Sequence, residues 1–350
     1  MRTKTVGSLI ILLLLSGRVF SADSKSPRNI AYKFTKIAEG VYFATGNGKM
    51  TGLCNSVVII NEKEVILVDS STSPAAARAL IADVKTLTRE PVRYVINTHF
   101  HFDHAHGNQV FGPEVEIIGH EYTREQLMGD VLHSKTYLAF TRDLPQRIQA
   151  LQEQITAETD AKKKEELKNN LALASDYYRT QAKIIPAPPN VTFRDRMSLF
   201  RGNREIELLF LGIGHTGGDV FVYLPKEKIL CTGDFLCPFL SYMGDGYLDE
   251  WDDTLEKLKS IDFEVILPGH GDPMRTGEKI GQFQAFLRDL WQKTVELRDK
   301  GYSADEVAEK IDLTAHAKDY PQITGPGADK LAIERIYQLL ELREKARSSP

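Results

Sequence analysis

A chain of 350 residues has room for one large domain or two small ones. Its 42% hydrophobic and 26% charged residues are ordinary for a globular protein with a core of its own. A formal net charge of −4 argues against a nucleic-acid-binding surface, which needs clustered positive charge.

Residues 1–21 read as a signal peptide. Arg2 and Lys4 form a basic start, Val6 to Leu15 a short apolar run, and Val19-Phe20-Ser21 a cleavage site with small residues. The apolar run is too short to span a bilayer, so no stable membrane anchor is expected and the mature chain is periplasmic or secreted. Cleavage would remove Arg2, Lys4 and Arg18 and no acid, leaving the remainder more negative. The three cysteines, Cys54, Cys231 and Cys237, are odd in number and have no framework spacing, which argues against a disulfide-dependent fold.

From Phe34 to Asp69 the pattern is of strands. Gly40–Thr45, Asn55–Ile60 and Val65–Asp69 are β-branched and apolar, with Asn61–Glu64 as a turn. Ser73 and Pro74 then open a helix to about Leu87. A further strand, Val92–Ile96, runs directly into Asn97-Thr98-His99-Phe100-His101-Phe102-Asp103-His104. Neutral imidazole and carboxylate are the natural ligands of zinc and similar divalent ions. His99 and His101 are two apart, so extended backbone points both the same way. Asp103 and His104 follow where the chain must turn, and can face a second point. The stretch therefore offers two ligands to one metal and two to a neighbouring one. His106 and the nearby His120 are given structural roles.

Residues 121–190 are polar and helical, with apolar residues at helical spacing on both sides of Lys162–Glu166. Two antiparallel helices with a turn near Thr159-Asp160 are expected, closed by Pro186-Ala187-Pro188-Pro189. Their stripes need a partner: each other, the body of the protein, or a second subunit, so an oligomer through this insert is open. Strands resume from Val191. Ile206–Leu211 leads to Gly214-His215, Ile229–Gly233 to Asp234, and Glu264–Leu267 to Pro268-Gly269-His270. Separate strands thus each end in a metal-type residue. The loop Cys237–Trp251, with Phe239, Tyr242, Met243, Tyr247 and Trp251, is a candidate pocket wall. Beyond residue 275 the chain reads as a helical extension, with a capping box at Ser303–Glu306 and a last helix from about Ala328 to Arg347.

The ordered set His-x-His-x-Asp-His, His215, Asp234 and His270 resembles the metallo-β-lactamase superfamily over about residues 35–275. The resemblance implies an α/β fold, a four-layered αβ/βα sandwich of two mixed sheets with outer helices, spanning residues 22–275. The helical insert and the helical C-terminal extension (276–350) add to it. It also implies a zinc-dependent hydrolase with two Zn²⁺, with iron or manganese as alternatives. His99, His101 and His215 would hold one ion, Asp103, His104 and His270 the other. Asp234 would bridge them, as in the hydroxyacylglutathione hydrolase and lactonase branches, and Asp69 would support the ligands from behind. Asp103 and Asp234 stand beside the reacting water. A metal-bound hydroxide would cleave a small ester, lactone, thioester or β-lactam, a substrate with a carbonyl. Cys237 occupies a position where a common β-lactamase branch carries lysine. Other readings are a mononuclear iron oxygenase of persulfides and a non-catalytic accessory protein of a periplasmic oxidation system.

Overall fold

The computed structural model describes residues 31–50 and 53–348. The expected signal peptide lies outside the described residues. Among the described residues, no helix is long and apolar enough to cross a membrane.

Two sheets organise the chain. The first holds seven strands in sequence order: β1 (Tyr32–Ala38), β2 (Val41–Gly46), β3 (Ser56–Ile60), β4 (Val65–Val68), β5 (Val92–Ile96), β6 (Glu116–His120) and β7 (Val191–Phe193). The pairing is antiparallel from β1 to β4 and parallel from β4 to β7. The second holds β8 (Arg196–Arg201), β9 (Arg204–Leu209), β10 (Phe221–Leu224), β11 (Ile229–Gly233) and β12 (Val265–Pro268), in spatial order 12-11-10-9-8. Only the β11–β12 pair is parallel there.

Strand alternation explains the layers. Val57, Ile59, Ile66 and Val68 turn inward and meet Ile206, Leu208, Val222 and Leu267 of the second sheet. Their neighbours Val58, Val65 and Leu67 turn outward onto Ala79, Leu80 and Val84 of α1 (Pro74–Val84). On the far side, Phe221, Leu230 and Ile266 meet α7 (Trp251–Leu258), α8 (Glu278–Asp299), α9 (Ala304–Lys310) and α10 (Lys330–Ser348). Helix, sheet, sheet and helices form the four layers of the expected sandwich. The helices after residue 275 share one hydrophobic cluster with the second sheet.

Local rules set the ends. The Ser73 hydroxyl accepts the Ala76 N–H at 3.2 Å and starts α1. This helix stops at Val84 rather than Leu87, because the Thr86 hydroxyl takes the Asp83 carbonyl in a turn. Ser303 and Glu306 form the capping box of α9. The insert holds four helices where two are expected: α3 (Glu121–Met128), α4 (Lys135–Thr141), α5 (Leu144–Ala157) and α6 (Ala161–Gln181). The last two are the antiparallel pair, turning at 158–160. The extra ones are short and start from side-chain caps, His120 on α3 and Ser134 on α4, and so lack a long periodic stripe.

Candidate metal centre

The parallel pairs β4–β5 and β11–β12 end on one edge, where backbone bonds tie the sheets together. The Val220 N–H donates to the Thr98 carbonyl at 2.7 Å, and the Asn55 N–H to the Gly269 carbonyl at 2.7 Å. Here three imidazole nitrogens converge. His99 Nε2 lies 3.1 Å from His101 Nδ1, and His215 Nε2 lies 3.0 Å from the same atom. Nitrogens so close, with no acceptor among three lone pairs, form a cation's coordination face. Burial pushes His215 down to about 3 and His99 well below the usual imidazole range, with neighbouring rings adding to both shifts. All-neutral imidazole is the form that binds zinc.

A second group adjoins it. His270 Nε2 lies 2.9 Å from Asp103 Oδ2, and His104 Nε2 lies 3.6 Å from the same oxygen. Asp234 faces both rings, Oδ1 at 3.3 Å from His104 Nε2 and Oδ2 at 3.5 Å from His270 Nε2. Burial resists the charge on Asp103, but His104 and His270 outweigh it and hold the carboxyl at about 2. Asp234 goes well below the carboxylate range for the same reason, and His104 and His270 are raised in return. His104 Nε2 and Asp234 Oδ1 are buried without a hydrogen-bond partner. Such an orphan costs about 1–3 kcal/mol, and a divalent cation between the groups would satisfy both atoms. The ligand atoms of His99, His104 and Asp234 also lie within 4.8 Å of one another, so Asp234 stands between the two groups. Gly269 permits this approach: a Cβ there would fall 2.2 Å from Asp234 Oδ1. Nitrogen and oxygen donors in this number fit zinc or a similar borderline ion.

The partners behind the rings fix which nitrogen faces inward. Asp69 accepts the Thr98 N–H and hydroxyl, each at 2.8 Å, and the His104 Nδ1–H at 2.8 Å. With its proton given to Asp69, the Thr98 hydroxyl accepts His99 Nδ1–H at 3.0 Å. His104 and His99 are thus both left with Nε2 as a lone pair.

His101 is held by a residue the sequence did not single out. Its Nε2–H donates to Asp245 Oδ2 at 3.1 Å, which also accepts the Thr136 hydroxyl of α4. Thr136 and the Tyr242 hydroxyl are 2.9 Å apart. Asp245 lies in Met243-Gly244-Asp245-Gly246, away from any strand end, so no spacing pattern marks it. Asp245→Asn is expected to weaken cation binding at His99, His101 and His215 by about 10- to 100-fold, leaving the other group less affected. Competition with a chelator, read as two separate affinities, measures this; equal weakening of both would assign Asp245 a general structural role.

The other predicted residues separate cleanly. His106 is buried between the Phe102 and Tyr137 rings, and His120 Nε2 donates to the Arg194 carbonyl at 2.9 Å. A cleft of about 860 Å³ opens over His101, Asp103, Asp234 and His270. Phe239 and Tyr242 line it, as do Leu144, Arg147 and Leu151 of α5 and Leu173 and Tyr177 of α6. The helical hairpin is therefore a wall of the cleft. Trp251 is fully buried beneath the second sheet, donating to the Phe235 carbonyl at 3.2 Å, and neither it, Met243 nor Tyr247 reaches the cleft, contrary to the sequence reading. Their positions in the α7 approach turn them toward the helical layer.

The sequence profile described as Metallo-beta-lactamase superfamily matches residues 50–270. The chain belongs to the metallo-beta-lactamase superfamily. It is 23% identical over 290 residues to the linear primary-alkylsulfatase of Pseudomonas sp. (strain ATCC 19151), covering 78% of this chain and 53% of that one. The chain thus spans about half the length of that relative. It is 25% identical over 224 residues to the type 2 metallo-beta-lactamase of Bacillus cereus, covering 62% of this chain and 67% of that protein. Among solved structures, a metallo-beta-lactamase from Pontibacter korlensis superposes with a TM-score of 0.54 at 19% identity, over 73% of this chain and 99% of the other. The DIM-1 metallo-beta-lactamase gives 0.51, at 19% identity, over 75% and 98%. At such identity the shared property is the fold. Helices α8 to α10 lie beyond the matched segment.

Proposed function

We propose that this chain is a two-cation hydrolase, zinc by preference, acting on a small ester-type substrate with an apolar substituent. The observation that carries this is Asp234 standing between two ligand groups, with its Oδ1 and His104 Nε2 buried and unpartnered. Bound divalent cations would supply a water acidified from a pKa of roughly 15.7 to about 7 and a Lewis acid for the scissile group. The chain's own residues do the rest. Asp103 and Asp234 offset cation charge, while Asp69, Thr98 and Asp245 keep the imidazole lone pairs pointing inward. No serine or cysteine nucleophile is needed, and burial pushes the Cys54 thiol up to about 12, away from nucleophilic use. Phe102, Phe140, Leu144, Leu151 and Tyr242 give the cleft a largely apolar wall. That wall suits an alkyl or aryl substituent, and the alkylsulfatase relative adds sulfate esters to the carboxylic esters, thioesters, lactones and β-lactams worth testing.

The test is elemental analysis of protein purified without added metal, followed by turnover of such a panel after stripping and reloading with zinc, manganese or iron. The expected result is two divalent ions per chain and zinc-restored hydrolysis. One iron per chain with no hydrolysis would overturn it.

A further inference from the structure

A second cavity, of about 720 Å³, adjoins the cleft and is used by nothing described so far. The two share Phe140, Leu240, Ser241 and Tyr242 as a common wall. This wall is pinned on both sides. The Tyr242 hydroxyl meets Thr136 Oγ1 at 2.9 Å, the Leu240 carbonyl accepts from Gln322 Nε2 at 3.0 Å, and the Ser241 hydroxyl donates to the Asp234 carbonyl at 3.1 Å. The far side belongs to the C-terminal helices and the 322–329 loop, outside the segment that matches the family.

The lining states what the cavity can hold. Phe286, Leu290 and Leu313, all buried, supply an apolar floor. Glu309 and Asp329 are its charged residues, and no Lys, Arg or His lines it among the described residues. An anionic group is repelled there, and a bare apolar chain loses water at no electrostatic cost. The cleft side differs, with Arg147 on its wall and the cation ligands at its base.

We propose that the second cavity is a tail chamber, taking the uncharged end of a linear alkyl chain whose polar head is held at the metal centre across the Leu240–Tyr242 wall. This rests on the hydrolase reading for the head and on the cavity alone for the tail. The substrate class is therefore an amphiphile with a long unbranched chain, and the C-terminal helices extend the substrate site.

Gly325 lines the chamber, and a Cβ there meets nothing within 4 Å. Thr324 beside it is exposed and also lines the chamber. Gly325→Phe and Thr324→Trp would therefore plug it from a surface loop. Two readouts apply to the metal-loaded protein. The first is calorimetric binding of 1-decanol against 1-butanol. The second is KM for esters and alkyl sulfates of increasing chain length. Decanol should bind with an affinity rising about three- to fourfold per added buried methylene over butanol, and both plugs should abolish the gain while leaving KM for the shortest substrate unchanged. Decanol binding that survives both plugs, or is no tighter than butanol binding, overturns the chamber. Absence of turnover with any substrate alongside plug-sensitive decanol binding would instead fault the hydrolase reading and leave the chamber standing.

Discussion

Asp234→Ala should empty both cation positions and abolish hydrolysis, a larger loss than any other single substitution at the site. Loss of a supporting partner behind a ligand typically costs about 10- to 100-fold in metal affinity, and a bridging carboxylate should exceed that for two ions at once. Three features of Asp234 support this. Its two oxygens face different rings, His104 and His270. It also groups with His99 of the other set. Its charge and that of Asp103 are the acids closest to where four positive charges would gather. Asp103→Ala should differ, emptying mainly the position it shares with His104 and His270. The rival explanation is that Asp234 only secures the turn after Thr232-Gly233, since Asp is a common turn residue. Under that explanation Asp234→Ala would cost about 1 kcal/mol of stability, and metal content would stay at two. Stoichiometry and denaturation measured on the same variant decide: full occupancy in Asp234→Ala rules out the bridge.

The parts of this site that could be read in advance are those encoded locally. His99, His101, Asp103 and His104 follow one strand without interruption, so their direction follows from strand and turn geometry. Asp234 and His270 each end a strand whose apolar run is unmistakable. The two-sheet sandwich was legible for the same reason, through β-branched runs with period two. Asp245 was not legible, because its role depends on a loop carrying it to His101 across the chain, at |i−j| of 144, with only flanking glycines to notice. The short helices α3 and α4 escaped because caps define them and an apolar stripe does not. Trp251 misled because aromatic content in a loop does not say which layer it faces. It packs on Phe283 of α8, with ring centroids 5.2 Å apart, and not on the cleft. The second cavity depends on the 239–243 loop meeting the C-terminal helices, a contact no local pattern announces.

The second large effect is expected at Asp69, which touches no cation position yet governs ligands in both groups. Its carboxylate is the acceptor for three buried donors, the Thr98 N–H, the Thr98 hydroxyl and His104 Nδ1–H. Asp69→Ala strands all three, at about 1–3 kcal/mol for each that finds no other partner. The backbone adds to this, since Asp69 sits at φ +64°, where a Cβ without a polar tip is disfavoured by about 1–2 kcal/mol. A loss of several kcal/mol in the metal-free protein is therefore expected for Ala, read by urea denaturation. Asp69→Asn separates stability from ligand orientation. Asparagine tolerates the left-handed backbone and keeps one accepting oxygen, so most of the stability should remain. Its amide brings two donors to a point where donors already converge. With the oxygen kept by Thr98, the ring of His104 loses its acceptor at Nδ1, and the tautomer with the proton on Nε2 becomes favoured. That proton faces Asp103 and Asp234, where a cation would otherwise sit. Cation affinity at the Asp103, His104 and His270 group should fall about 10- to 100-fold in Asp69→Asn, while the three-histidine group falls less. The two affinities, titrated separately on Asp69→Asn at near-native stability, test this. Unchanged binding at the His104 group would show that Asp69 serves only to fasten Thr98 to the strand end, and the inward lone pair of His104 would then need another source.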